Sequence, residues 1–138
     1  MITIKKQEIV KLEDVLHLYQ AVGWTNYTHQ PEMLEQALSH SLVIYLALDG
    51  DAVVGLIRLV GDGFSSVFVQ DLIVLPSYQR QGIGSSLMKE ALGNFKEAYQ
   101  VQLATEETEK NVGFYRSMGF EILSTYDCTG MIWINREK

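Results

Sequence analysis

Two spacings of apolar residues alternate along the chain, and each predicts a different kind of element. Apolar side chains recur at helical intervals between Glu13 and Val22, and again in the segment that begins at Pro31. Residues 42–48 and 52–60 are instead continuous runs of apolar and branched residues, joined by the turn sequence DGD. Such a pair of runs around a glycine turn is typical of a β-hairpin.

The second half of the chain continues this alternation. A strand from Ser66 to about Leu75 ends before Pro76, because proline cannot donate to a strand ladder. The remaining segments predict a helix to about Ala98, a strand in VQLAT, a helix in TEKNVGFYRSMGF and two closing strands in FEILSTY and GMIWIN. The order β-α-α-β-β-β-α-β-α-β-β, with about seven strands and four helices, predicts an α/β (α+β) fold in which helices cover a mixed sheet.

Length and charge narrow the classes of protein to which the chain can belong. A chain of 138 residues, 47% of them hydrophobic, fits one globular domain spanning residues 1–138. The net charge of −6 argues against a nucleic-acid partner, which would need clustered Lys and Arg. No apolar run is long enough to cross a bilayer, and the N-terminal segment lacks the apolar core of a signal peptide. Cys128 is the single cysteine, and no Cys/His spacing predicts a metal site, so we expect a cytoplasmic protein without metal or membrane partner.

The sequence QRQGIGSS, residues 79–86, places two glycines at the start of a predicted helix. Backbone N–H groups at a helix N-terminus lack partners within the helix and carry the positive end of its dipole, so they suit phosphate oxygens. Gly82 and Gly84 allow a pyrophosphate to approach the backbone, and Arg80 adds a cation. The lysine of a P-loop and the third glycine of a dinucleotide fingerprint are both missing. These residues alone leave two interpretations open: a phosphate-binding loop, or glycines that allow tight packing of strand against helix.

The stretch Gln79-Arg80-Gln81-Gly82-Ile83-Gly84, directly after DLIVLP, resembles the Q/R-x-x-G-x-G/A signature of the GCN5-related N-acetyltransferase (GNAT) family. The later segment NVGFYRSMGFE, residues 111–121, looks like the second motif of that family, F-Y-x-x-x-G-F. The element order is also similar to the family fold over nearly the whole chain. The resemblance implies transfer of an acetyl group from acetyl-coenzyme A to a primary amine of a small molecule, by direct attack through a tetrahedral intermediate. It also implies a mostly antiparallel sheet that splays between strands 4 and 5.

In this family the signature loop holds the pyrophosphate of acetyl-coenzyme A, and the preceding strand pairs with its pantetheine arm. The resemblance therefore assigns co-substrate contacts to a strand and to a loop. They are Leu72, Ile73 and Val74 in the strand, and Gln79, Arg80, Gln81, Gly82, Ile83, Gly84 and Ser85 in the loop. Residues 72–74 also suit a buried core strand, and both roles are compatible because side chains pack while the backbone binds. A backbone N–H of Ile73 or Val74 is expected to stabilise the oxyanion.

Tyr115 aligns with the family tyrosine that protonates the departing thiolate, so the resemblance implies that it is the general acid. A phenol with a pKa of ~10 is a suitable donor within hydrogen-bond reach of the sulfur; the alternative is an aromatic residue on a helix face. Where many relatives have an asparagine, seven residues before this tyrosine, the chain has Thr108, which is expected to cap the helix that Gly119 ends. The asparagine here is Asn111, four residues before Tyr115; it is carried over as a co-substrate contact, with helix capping or solvation as the alternative.

An amine attacks a thioester only after losing its extra proton, so the reaction needs a base. Asp71 is the first candidate, because it lies in the apolar strand VFVQDLIVL, where an unpaired charge is costly. The alternative is an outward-facing or salt-bridged carboxylate. Glu106, at the end of the next strand, is the second candidate base, and His29 and His40 are the third.

The loop GWTNYTH, residues 23–29, corresponds to one wall of the family's acceptor pocket. Trp24 and Tyr27 are expected to stack on the amine and bind its cation, with His29 beside them, although Trp24 also suits a core position. The short N-terminal part, VGDG and GMIWI look like the aralkylamine (serotonin-type) acetyltransferase group. Because fold does not settle substrate, a protein or peptide N-acetyltransferase and a non-catalytic acyl-coenzyme A-binding module stay open. Relatives often dimerise through their late strands, and the apolar MIWI is compatible with a homodimer.

Overall fold

The computed structural model describes residues 1–135, which contain one five-stranded sheet with the order β1-β2-β3-β4-β5. The first four strands pair antiparallel, and β5 lies parallel to β4. Their bounds are Ile2–Lys6 for β1, Val43–Asp49 for β2, Ala52–Gly61 for β3, Ser66–Val74 for β4 and Gln100–Leu103 for β5. The mixed sheet, with its one parallel pair at the crossover through the glycine loop, agrees with the prediction from sequence.

Five α-helices lie in the described part of the chain. They are α1 Leu12–Ala21, α2 Thr25–Thr28, α3 Pro31–Ser39, α4 Ile83–Leu92 and α5 Glu109–Ser117. Pro31 stands at the first position of α3, where its missing N–H costs no hydrogen bond. Thr108 caps α5, since its side chain accepts a hydrogen bond from the backbone N–H of Asn111, and Gly119 follows the helix with φ +98°. The predicted caps of α5 are therefore confirmed.

The described chain forms two compact units, Met1–Ala104 and a second that begins at Thr105. In the first unit, α1 and α3 pack on one face of the sheet over a buried apolar cluster. Its members are Val15, Leu18, Tyr19, Leu34, Leu38, Ile44, Leu46, Leu56 and Ile73. Successive strand residues point to opposite faces, so Tyr45 lies on the other face, where Asn94 near the end of α4 donates to its hydroxyl. Helices thus cover both faces of the sheet.

A β-bulge in β4 changes the sheet at Gln70. Leu59 of β3 pairs with Val69, but the next β3 residue, Arg58, pairs with Asp71, so Gln70 is an extra residue on β4. The pairing of β4 with β5 ends at the same place, with Val69 opposite Leu103. Within residues 1–135, positions 71–74 of β4 pair with β3 alone. The sheet therefore opens between strands 4 and 5, as the resemblance to the GNAT family implied.

Two of the seven predicted strands are wrong. FEILSTY forms a 3-10 turn at Leu123–Tyr126, because the N–H of Thr125 bonds to the carbonyl of Ile122 and the next turns close in the same way. Residues 131–135 of GMIWIN have no strand assignment in the structure. A four-residue helix, α2, also replaces part of the predicted loop at 23–29. Among residues 1–135, no helix has both the length and the apolar character that a membrane span needs.

Candidate active site

The glycine loop connects β4 to α4 through a 3-10 turn at Pro76–Tyr78. Gly82 is the N-cap of α4 and has left-handed backbone, with φ +78°. A Cβ at Gly82 would meet no heavy atom within 4 Å, so the glycine is required by backbone conformation and not by neighbouring atoms. Arg80 also has a positive φ, +65°, which is rare for a residue with a side chain. The loop thus holds two left-handed residues just before a helix.

The start of α4 has the donors that an anion needs. No side chain caps this helix, and its first backbone bond within the described residues runs from the N–H of Ser86 to the carbonyl of Gly82. The N–H groups of residues 83–85 therefore lack partners within the helix. Gln79, Arg80 and Gln81 are exposed in the adjoining loop. These residues fit a pyrophosphate, because free amides and the positive end of the helix dipole lie at one short segment and Arg80 adds a cation to the adjoining loop.

The strand before the loop provides both core packing and free backbone. Ile73 is buried in the apolar cluster, whereas Leu72 and Val74 are half-buried. The carbonyl of Val74 accepts a hydrogen bond of 3.0 Å from the side-chain amide of Gln79. Since residues 70–74 lie beyond the last β4–β5 pair of the described chain, the backbone on this edge is not used for pairing with β5. Packing and backbone binding are thus compatible here.

Asp71 lies in a buried ion pair with Arg58, its cross-strand partner. Both side chains are 5% exposed or less, and Arg58 Nε lies 2.7 Å from Asp71 Oδ2. The hydroxyl of Tyr19 donates to the same oxygen at 2.8 Å, and the hydroxyl of Tyr27 donates to Asp71 Oδ1 at 3.0 Å. The salt-bridged alternative for Asp71 is therefore the arrangement seen. Its assignment as the general base stays a prediction.

Arg58 is held by further contacts on the same face of the sheet. Its Nη1 donates to Ser41 Oγ at 3.2 Å and to the carbonyl of Ala37 at 3.4 Å, and its Nη2 donates to the hydroxyl of Tyr27 at 3.3 Å. Burial is the largest single effect and acts to lower the pKa of Arg58, but the charge and hydrogen bond of Asp71, together with Tyr19 and Tyr27, raise it overall. The guanidinium therefore stays charged, and the buried carboxylate of Asp71 compensates its positive charge. Removing one partner of such a pair costs about 3–5 kcal/mol of stability.

Two tyrosine rings contact this pair, and a third aromatic ring lies beside them. Tyr19 and Tyr27 meet edge to face at 5.1 Å between ring centroids, and Trp24 lies 6.1 Å and 6.2 Å from them. Trp24 and Tyr27 pack against the apolar cluster while remaining partly exposed, so the structure combines the core and surface alternatives for Trp24. Burial, and then the Asp71 carboxylate, raise the pKa of Tyr27 above its usual 10.0. His29 caps the C-terminal end of α2 and is exposed.

The second unit contains the other predicted site residues. Tyr115 lies in α5, half-buried, between the rings of Phe114 at 5.0 Å and Phe120 at 6.0 Å. Burial raises the pKa of its phenol above the usual 10.0. Asn111 donates its backbone N–H to the Thr108 cap and its side-chain amide to the carbonyl of Glu106, which favours the capping alternative for Asn111. Glu106 itself is exposed.

Sequence inspection missed three residues of the first unit: Arg58, Tyr19 and Gln70. Arg58 is the only charged residue in its apolar strand, and Asp71 is the only charged residue in the next strand. This pattern could have indicated the pair from the sequence. Two lone opposite charges in neighbouring hairpin strands point to a cross-strand pair. Among the described residues, no group of three or more His, Cys, Asp or Glu side chains is placed to hold a metal ion.

The fold, the splayed β4 edge and the uncapped glycine loop define a class of acyltransferase. Residues 40–122 match the family model described as "Acetyltransferase (GNAT) domain". The match covers more than half of the chain, so the chain belongs to the GNAT acetyltransferase family.

Named relatives agree with this assignment. A solved structure, a GNAT-family acetyltransferase from Streptococcus pneumoniae TIGR4, is 96% identical and covers 99% of each chain, with a TM-score of 0.92. Serotonin N-acetyltransferase 2, chloroplastic, from Oryza sativa subsp. japonica is 33% identical over 66% of this chain, which spans 48% of the rice protein. The PaiA N-acetyltransferase of Thermoplasma acidophilum, solved in complex with coenzyme A, is 19% identical over 88% of this chain and 91% of its own, with a TM-score of 0.69. That last likeness shows the fold alone.

Proposed function

We propose that the protein transfers an acetyl group from acetyl-coenzyme A to the primary amine of a small molecule, by direct attack of the amine on the thioester. The observation that carries the proposal is the glycine loop: Gly82 in left-handed conformation opens an uncapped helix directly after a strand whose edge leaves its neighbour. A loop of this form suits the pyrophosphate of the co-substrate. Membership of the GNAT family supplies the reaction class.

The chain's own residues divide into holding and reacting groups under this proposal. The loop from Gln79 to Ser85 holds the pyrophosphate, and the backbone of residues 72–74 pairs with the pantetheine arm. A backbone N–H of Ile73 or Val74 stabilises the oxyanion of the tetrahedral intermediate. Tyr115 protonates the departing thiolate; the motif around it and its raised pKa, which keeps the phenol protonated, support this role.

The contacts of the two candidate carboxylates, Asp71 and Glu106, bear on which of them acts as the base. Both oxygens of Asp71 already accept hydrogen bonds from buried or partly buried partners. Protonation of Asp71 would neutralise its charge and leave the charge of Arg58 unpaired. These contacts favour a positioning role for Asp71. Glu106 is exposed and has no ion pair among residues 1–135, so we propose Glu106, directly or through a water molecule, as the base.

The acceptor is proposed to be an aralkylamine or a similar small amine. Trp24 and Tyr27, here called the aromatic wall, are partly exposed, and Tyr27 contacts Gln70 at the β4 bulge. Such rings bind both an aromatic body and an ammonium group. The rice relative is named a serotonin N-acetyltransferase, and serotonin is an amine of this kind. The acidic net charge of the chain also favours a cationic acceptor.

A screen of amines tests this function. Release of free thiol from acetyl-coenzyme A is measured with aralkylamines, polyamines, amino sugars and short peptides as acceptors. We expect the highest kcat/KM with an aralkylamine. Turnover on peptides alone would make the protein a peptide acetyltransferase, and tight coenzyme A binding without turnover on any acceptor would make it a binding module.

We also propose that the protein forms a homodimer through residues 131–134. Met131, Ile132 and Trp133 are 93%, 84% and 83% exposed, and Ile134 is 58% exposed. A contiguous run of exposed apolar side chains marks an interaction site in a well-behaved protein. A second copy of the same chain presents the same run, so the contact is self-complementary.

A further inference from the structure

We propose that the side-chain carbonyl of Gln70 recognises an N–H group of the acceptor amine, and that Tyr27, Asp71 and Arg58 fix the orientation of this side chain. The inference rests on the proposed function, because it names one contact of the same site. Gln70 belongs to neither motif.

Gln70 stands where the sheet opens. It is the extra residue of the β4 bulge, and the pairing of β4 with β5 ends at the preceding residue, Val69. Its side chain is exposed, and its Nε2 lies 3.4 Å from the hydroxyl of Tyr27 on the aromatic wall. Bulges often direct a side chain toward a functional site, and this one places an amide next to the strand segment, residues 72–74, that is proposed to pair with the pantetheine arm.

The hydrogen bonds behind Gln70 have only one consistent direction. The carboxylate of Asp71 can only accept, and it takes the single proton of the Tyr27 hydroxyl at 3.0 Å. Burial and the nearby Asp71 charge raise the pKa of Tyr27, so that proton remains in place at neutral pH. The oxygen of Tyr27 is then left with lone pairs alone, and it accepts from Arg58 Nη2 at 3.3 Å and from Gln70 Nε2 at 3.4 Å.

This direction decides which end of the Gln70 amide faces outward. If Nε2 donates to Tyr27, Oε1 is the other branch of the planar amide and is not the atom turned toward that hydroxyl. Among the residues that the structure describes, no donor is paired with Gln70 Oε1. The site therefore presents a hydrogen-bond acceptor beside the aromatic wall, and it favours a ligand that carries N–H groups over a quaternary ammonium of the same charge.

The first test compares Gln70→Leu with the wild-type protein, using phenethylamine as acceptor. We expect the KM for phenethylamine to rise about tenfold, the effect of losing one good hydrogen bond, with kcat and the KM for acetyl-coenzyme A within about twofold. Gln100→Leu is the matched control, because Gln100 is also an exposed glutamine but lies at the other end of the β4–β5 pairing, opposite Ser66. Equal effects of the two variants would overturn the inference.

The second test asks whether the chain of hydrogen bonds positions Gln70. Tyr27→Phe removes one hydroxyl and frees the amide to rotate, so we expect a several-fold rise in the KM for phenethylamine. The double variant with Gln70→Leu should then be no worse than Gln70→Leu alone. Additive effects would show that Tyr27 acts independently of Gln70, and the positioning part of the inference would fall.

A binding measurement separates this inference from the proposed function. The side-chain amide signals of Gln70 are followed by NMR during titration with phenethylamine or with its N,N,N-trimethyl analogue, without acetyl-coenzyme A. We expect shifts with the primary amine and much smaller shifts with the analogue. Such shifts without any turnover would overturn the proposed function and keep the amine contact, whereas turnover without such shifts would keep the function and overturn the contact.

Discussion

At the scale of single residues, the glycine loop is under conformational strain at a position that carries no core packing. Gly82 adopts its φ of +78° without steric cost, but Arg80 at +65° costs about 1–2 kcal/mol relative to ordinary backbone. Both residues are exposed, so packing against neighbours does not impose this conformation. Strain of this kind is often found at ligand-binding segments. This strain at an exposed loop supports the proposed anion site at residues 79–85.

Gly82→Val should weaken the binding of coenzyme A about tenfold or more, because the new side chain stands where the pyrophosphate approaches the amides. Isothermal titration with coenzyme A measures the effect. Gly50→Val is the matched control: Gly50 has φ +61° and open space around its Cβ position, but it lies in the β2–β3 turn outside the loop. Affinity retained in Gly82→Val, or lost equally in both variants, would contradict a phosphate site at residues 79–85.

Tyr115→Phe should lower kcat by about 10²- to 10⁴-fold while leaving the affinity for coenzyme A nearly unchanged, because only the proton donor is lost. The raised pKa of Tyr115 adds a pH dependence with a definite sign. The phenol of Tyr115 keeps its proton as pH rises and loses it only above pH 10.0. Ionisation of Tyr115 should therefore not reduce kcat at neutral pH. Tyr126→Phe, at an exposed tyrosine of the same unit, is the control, and a rate unaltered at every pH would exclude Tyr115 as the acid.

At the scale of elements, the hairpin of β3 and β4 combines a tight turn with a bulge. Asp62 Oδ1 accepts the backbone N–H groups of Phe64, Ser65 and Ser66 at 2.7, 2.8 and 3.1 Å, and this fixes the turn. Four residues into β4, the bulge at Gln70 shifts the register by one. That shift brings Asp71 opposite Arg58 and leaves Gln70 on the exposed side.

The turn predicts a pH dependence of folding. Hydrogen bonds from the Ser65 hydroxyl and from the turn backbone lower the pKa of Asp62 below its usual 3.8, so its stabilisation is present above that value and is lost as pH falls below it. Asp62→Asn should therefore be less stable than the wild-type protein at pH 7, with a difference that shrinks at pH 3. Urea unfolding at both pH values measures it, with Asp51→Asn, in the neighbouring turn, as control. A difference independent of pH would contradict the role of the Asp62 charge.

The bulge also explains which part of the site could be predicted. The DGD hairpin, the strand ending before Pro76 and the capped α5 follow from local residue preferences, and each was predicted from sequence. The pair of Arg58 with Asp71 was not, because an unbroken register from Leu59 and Val69 would place Arg58 opposite Gln70. The two lone charges suggest a pair, but a one-residue shift depends on the whole sheet, so the spacing of the residues does not place them opposite each other.

The closing strands failed for a related reason. FEILSTY and GMIWIN have β-forming residues, but β propensity mainly reflects packing against neighbouring strands. The polar STYD segment instead closes its own hydrogen bonds, with the N–H of Asp127 bound to the carbonyl of Ser124. In this segment, hydrogen bonds within the turn form in place of strand pairing.

At the scale of the whole molecule, the apolar run at residues 131–134 stands out on an otherwise acidic chain with a net charge of −6. General charge repulsion between copies opposes association, so a dimer needs a contact strong enough to exceed it. A large aromatic anchor such as Trp133 is typical of such contacts.

If the proposed dimer forms, Trp133→Lys should convert it into a monomer, because the substitution places a charge at the centre of the proposed contact. Size-exclusion chromatography with light scattering measures the mass at several concentrations. Phe64→Lys is the matched control, since Phe64 is a similarly exposed aromatic residue, at 84%, in the β3–β4 turn. A wild-type protein that is monomeric at every concentration would contradict the proposal.

The place where β4 leaves β5 has a consequence for how the chain behaves before it meets its co-substrate. A half-strand with unused main-chain donors and acceptors is a template to which another polypeptide can add, and this is a common start of aggregation. Under the proposed function, the pantetheine arm satisfies those same groups. Acetyl-coenzyme A would then protect the strand edge reversibly as well as react. The protein with acetyl-coenzyme A bound should stay in solution under conditions in which the ligand-free protein aggregates.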